Sequence, residues 1–237
     1  MAWYIQQCED AGALSYNFEF LMREYCRIFG SSVMYAVDCT VYNDPNSKCP
    51  YCSYSYPAWI RLHQSSLDFW AQTVYQLSHE MMHYASFSAR GRTEGYLVWL
   101  EEIICEAMSH YALEYAATRW SECRLSRINP GFDKMLWQYL NDVRSAPADN
   151  GLATCTTLQA LQSYEKNRMA EKHRAGYARE RELLYQHLRK TPEAAVCFLR
   201  YHHFVRPDGA TIDFNAFRRS DPYNPLIPVL AAFQPVK

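Results

Sequence analysis

The residues best suited to chemistry are His79, Glu80 and His83 in the stretch His79-Glu80-Met81-Met82-His83, and Glu102, which closes Trp99-Leu100-Glu101-Glu102 after eighteen intervening positions. Two imidazoles at i and i+4 of a helix point to the same side. A carboxylate from a second helix can then complete a three-ligand zinc site, leaving open the fourth position that a catalytic zinc keeps. HExxH alone is short, but its setting adds to it. The motif lies well inside a helical pattern, its two middle residues are uncharged, and both histidines avoid the apolar stripe.

The elements that must carry these residues can be read from periodicity. From Ser65, a plausible cap, the spacing predicts a long helix with Leu67, Trp70, Val74, Leu77, Met81 and Ala85 on one side and the two histidines roughly opposite. After a loop containing Gly91 and Gly95, a second helix has Leu97, Leu100, Ile104, Met108 and Tyr111 as its stripe, with Glu102 and Glu106 facing away. Each helix is thus expected to have a core side and a separate functional side. Glu101 lies about 100° round the helix from Glu102, so it would need a shift in register to reach the same point.

Upstream, residues 14–29 have helical spacing that stops at Gly30, and the β-branched and aromatic run 32–42 predicts a strand or two. Residues 56–63 predict another strand, with Pro57 placing it near a start or on an edge, where an extended peptide could pair with it. Beyond Trp120 the pattern predicts helices around 132–144, 156–190 and 192–204, then an irregular proline-rich tail from Pro207 with a short strand at 211–214. The expected fold is therefore α+β: a single domain over 1–237, with an N-terminal α/β part (1–117) that carries a small sheet and the metal-bearing helices, and a mostly helical C-terminal part (118–237).

The spacing from His83 to Trp99-Leu100-Glu101-Glu102 resembles the HExxH…WLxE pattern of gluzincin zinc metallopeptidases, chiefly the aminopeptidase-N-like branch and more distantly thermolysin. The resemblance covers about residues 74–110. It implies a zincin-like fold, Zn2+ as cofactor, His79, His83 and Glu102 as ligands, and Glu80 as the general base that takes a proton from the attacking water. Glu106, one turn beyond Glu102, would match the acid that holds a ligand histidine by its other ring nitrogen; the alternative is a solvated helix carboxylate. His110, a further turn on, is expected to be structural. The Gly-x-Met-Glu-Asn segment with which that branch holds a substrate amino terminus has no counterpart here, so exopeptidase action is not implied. The oxyanion donor of the family would come from Tyr164, His173, Tyr177, Tyr201, His202 or His203.

Other features narrow the function classes. A formal net charge of -1 gives no electrostatic reason to expect nucleic acid. No apolar run approaches a membrane span, and the first ten residues lack the pattern of a signal peptide. Nine scattered cysteines do not form a disulfide framework, which favours a reducing, cytoplasmic setting, with a secreted mature form as the alternative. Cys49-Pro50-Tyr51-Cys52 has the letters of a glutaredoxin site, but a strand rather than a helix is expected next, so ordinary loop cysteines are expected over a thiol redox centre or a clip. The mixed-sign run Glu165–Glu182 reads as a solvated helix face. The expected function is a zinc-dependent metallohydrolase acting on peptide or protein substrates. The alternative is a non-enzymatic helical interaction domain with a structural metal site.

Overall fold

The computed structural model describes residues 1–6, 11–91, 95–145, 151–167 and 177–235. The protein is α+β. A four-stranded mixed sheet has the order β1-β2-β4-β3, formed by β1 (Trp3–Ile5), β2 (Cys39–Asn43), β3 (Tyr51–Cys52) and β4 (Ala58–Leu62). The first three in that order run parallel, and β3 pairs antiparallel with β4 through Cys52 opposite Ile60. The strand read from 56–63 is therefore an inner strand. The two-residue β3 covers the side on which an added peptide would have paired.

The helices are α1 (Ala11–Phe29), α2 (Ser31–Met34), α3 (Trp70–Arg90), α4 (Val98–Thr118), α5 (Asp133–Arg144), α6 (Leu158–Asn167), α7 (Ala178–Leu188), α8 (Phe214–Ser220) and α9 (Leu226–Phe233). Among the described residues no helix is long and apolar enough to cross a membrane. Contacts divide the chain into two compact units, Met1–Ser88 with Met108–Val143, and Ala89–Ala107 with Arg144–Lys237.

Several elements differ from expectation for local reasons. The start of the 32–42 run is helical: Gly30, at φ 87°, begins a turn whose carbonyl accepts from Met34 N, and only β2 remains extended. The long helix starts at Trp70, not Ser65, because Ser66 Oγ accepts from Asp68 N and holds residues 66–69 in a turn. Residues 192–204 are 3₁₀ segments, Pro192–Leu199 and Tyr201–Phe204, closed by i to i+3 bonds such as Arg200 N to Cys197 O at 3.0 Å. The tail is more ordered than its prolines suggest. Asp213 caps α8 by accepting from Ala216 N at 2.9 Å, and the strand expected at 211–214 is a single antiparallel bridge, Val205 to Ile212.

In the first unit α3 is held by side chains that bond to the backbone of neighbouring segments. Gln76 pairs with both backbone groups of His63 at the end of β4, at 2.9 Å each. Ser78 Oγ donates to Met108 O at 3.1 Å, and Tyr25 OH from α1 donates to Ser78 O at 2.7 Å. Tyr84 OH donates to Val37 O and accepts from Val37 N, just before β2. Residues 77–87 are all buried, so the expected division into a core side and a functional side does not hold for this helix. Removing the Tyr84 hydroxyl leaves two buried backbone groups of Val37 without that partner. Tyr84→Phe should lower the unfolding free energy by about 1–3 kcal/mol, seen in urea titrations as a lower midpoint with unchanged slope.

Candidate metal centre

In the first unit, His79, Glu80 and His83 occupy the buried middle of α3, each no more than 5% exposed. The i, i+4 spacing brings the Nε2 atoms of the two histidines to 3.1 Å, with ring planes at 66°. Tetrahedral zinc, with bonds of about 2.0–2.1 Å, would hold two imidazole nitrogens about 3.3 Å apart. The pair therefore fits a shared small divalent ion with little rearrangement. The other ring nitrogen of His83, Nδ1, lies 3.1 Å from the hydroxyl of Tyr54, whose ring meets the imidazole edge-on. His110 is fully buried, and its ring lies 6.4 Å from that of Tyr75.

In the second unit, the first half of α4 carries the acidic residues. Its N-terminus is capped from α6: the Glu165 carboxylate accepts from Val98 N at 2.6 Å and Trp99 N at 3.1 Å, where free helix N–H groups favour an anion. Trp99, fully buried, donates from its indole to Ala210 O at 3.0 Å. Gly95, at φ 105°, passes so close to this unit's 3₁₀ segment that a Cβ there would lie 2.5 Å from His202 O. Only glycine suits both constraints.

The three acids of α4 have different surroundings. Glu101 is fully buried, accepts from Tyr201 OH at 2.6 Å and lies 3.8 Å from Arg90 Nη1. It is engaged with those partners. Glu102 is half-buried. Glu106 is 2% exposed and pairs with Arg181 Nη1 at 3.5 Å, so it is not a solvated carboxylate. Cys105, fully buried between them in sequence, is a metal-ligating type that the sequence reading passed over. Its position three residues after Glu102 was the available signal. No comparable signal pointed to Tyr54, which lies 29 residues before His83, in the segment between β3 and β4.

Of the charged run from Glu165, residues 168–176 lie outside the described residues; among the others Lys166 and Arg179 are exposed, but not all are solvated. Besides the cap by Glu165, Glu180 and Arg181 are each 8% exposed, and burial raises the Glu180 carboxyl above its usual range. Of the expected oxyanion donors, Tyr177 is fully buried and Tyr201 is bonded to Glu101, with burial first and Glu101 second raising its phenol well above the ordinary value. Tyr164 is on α6, His203 is exposed beside His202, and His173 lies outside the described residues. Cys49 and Cys52 are free thiols, with Cys52 buried on β3.

No protein family, no curated protein and no solved structure matches this chain. The likeness to gluzincins accordingly rests on the residues between 74 and 110 alone.

His202 gives this unit a pH dependence. Burial, then the neighbouring His203 and Arg90, lower its imidazole from 6.5 to about 4, against a smaller opposing effect of Glu101. A depressed histidine is protonated more readily in the unfolded chain, so its stabilising effect is present at neutral pH and is lost as pH falls from about 6.5 towards 4. His202→Gln should therefore show a smaller drop in Tm between pH 7 and pH 5 than the native protein, measured by calorimetry.

Proposed function

We propose that the chain is a metal-dependent hydrolase of peptide bonds, with zinc as the expected ion, His79 and His83 as ligands, Glu102 as the third ligand and Glu80 as general base. The observation that carries this reading is the 3.1 Å approach of the two Nε2 atoms on a buried helix with a glutamate directly between them in sequence. Two neutral imidazoles and a carboxylate are a donor set suited to catalytic zinc. When bound, the ion supplies a Lewis acid that polarises a carbonyl and makes water acidic near neutral pH.

The protein's own residues do the rest. Glu80 takes the proton of the attacking water and passes it to the departing amine. Glu106, fixed by Arg181, is assigned to orienting the ligand set from α4.

One observation favours a second reading. His79, His83 and Cys105 are all buried and of types that could hold a metal ion. A set of two histidines, Cys105 and Glu102 would occupy all four positions, as in a closed structural site of a non-enzymatic helical interaction domain.

Metal titration and peptide-library cleavage separate the readings. The native protein should bind one equivalent of zinc and cleave peptides, whereas Glu80→Gln should keep the metal and lose at least about 100-fold in kcat. Glu102→Ala should weaken zinc binding more than Cys105→Ser. Zinc bound without peptide cleavage, and lost most in Cys105→Ser, would establish the structural site instead; no zinc binding at all would remove both.

A further inference from the structure

We infer that Tyr54 is a positioning residue for His83: its hydroxyl oxygen accepts the Nδ1 proton of His83, which leaves Nε2 with a free lone pair aimed at the point it shares with His79. This rests on the proposed metal reading but is not part of the gluzincin resemblance, and it concerns residues that all belong to the first unit.

The geometry supports it at each link. Tyr54 OH stands 3.1 Å from His83 Nδ1, and His83 Nε2 stands 3.1 Å from His79 Nε2, so each ring nitrogen of His83 has a defined neighbour. The hydroxyl comes from a fixed element. Ser53, the preceding residue, donates from its backbone N to Trp59 O at 2.8 Å, and its Oγ accepts from Trp59 N at 2.8 Å, so the chain beside Tyr54 is tied to β4. The Tyr54 ring lies 5.5 Å from Phe87, one turn after His83 on α3, and Phe87 lies 5.0 Å from Tyr56. The aromatic contacts set the distance between the Tyr54 backbone and the helix, and the hydroxyl reaches the one imidazole nitrogen that a shared ion would not use.

The proton arrangement at this contact has two forms with opposite consequences. If Tyr54 donates to Nδ1, the single proton of neutral His83 sits on Nε2 and points at His79, making a hydrogen-bonded pair that excludes a metal. If Tyr54 accepts, Nδ1 carries the proton and the Nε2 lone pair of His83 is available towards His79 and the point they share. The metal reading selects the second form: with an ion shared between the two Nε2 atoms, His83 carries its proton on Nδ1, and the Tyr54 hydroxyl, 3.1 Å away, is then its acceptor. A ligand histidine is ordinarily fixed in this way by a partner on its other nitrogen, commonly a carboxylate or carbonyl. Here a phenol does it, which holds the tautomer without adding negative charge.

The test reads the tautomer directly. Long-range proton–nitrogen NMR of metal-free native protein should show His83 protonated at Nδ1. Tyr54→Phe keeps the ring against Phe87, so its far-UV circular dichroism and urea midpoint should match the native protein, while the His83 tautomer shifts towards Nε2–H and zinc affinity falls about ten- to hundredfold. A tyrosine that served only in packing would move neither quantity. An Nε2–H tautomer in the native protein, or native-like zinc affinity in Tyr54→Phe, would overturn the inference. If the native protein binds no zinc, the metal reading fails, and the tautomer of the metal-free protein still decides the role of Tyr54.

Discussion

The middle of α3 is buried on every side, and the first unit is built around that constraint. A buried helix bonds its own backbone internally, but polar side chains on it must find partners or destabilise the fold by up to several kcal/mol each. Gln76, Ser78 and Tyr84 find theirs on the backbone at His63, Met108 and Val37, on three different segments. Backbone groups of connecting segments need partners just as much, so each bond satisfies both sides. The outcome is a helix whose height and rotation are fixed both before and after His79 and His83. The 3.1 Å approach of the two imidazoles is set within the helix by their i, i+4 spacing, and the fixing of the helix decides which neighbours, such as Tyr54, the pair meets.

The second unit meets the same problem with charge instead of neutral polar groups. Glu101 and Glu106 are buried almost completely, and each has a cation at hand: Arg90 for the first, supported by the Tyr201 hydroxyl, and Arg181 for the second. A buried carboxylate without such a partner would take up a proton. Glu165 serves the N-terminus of α4 in the same sense, with its charge placed where the free N–H groups of the first turn converge. Of the charged helices after residue 150, α7 thus supplies with Arg181 the counterpart that lets α4 bury Glu106, and α6 supplies with Glu165 the anion at the start of α4.

Much of the frame was legible in the sequence. The helices at 11–29, 70–90, 98–118 and 133–144 follow from periodicity, and so does the strand at 58–62, because long runs with one dominant spacing outweigh local exceptions. The misses have specific causes. The helix at 31–34 depends on one positive-φ glycine, the late start of α3 on the Ser66 side chain, and the 3₁₀ form of 192–204 on short-range bonds that periodicity does not register. The i, i+4 histidine pair was readable because its geometry is local. Tyr54 was not, because its contact depends on how β3 and β4 bring residue 54 back to α3. Burial of the acids was hidden for a similar reason: the arginines that permit it lie on other segments, and a carboxylate that is paired looks the same in sequence as one that is solvated.

Charge balance bears on the third ligand. A divalent ion between His79 and His83 would bring two positive charges to a buried place, and neutral imidazoles offset none of them. Such a site is favourable when nearby anions bring the local sum close to zero. Glu80 and Glu102, both ionised, would do so. Glu101 and Glu106 are already offset by Arg90 and Arg181 and contribute little to that sum. Adding Cys105 as a thiolate would leave the group net negative, a cost that a closed structural site tolerates better when no ionised general base stands beside it.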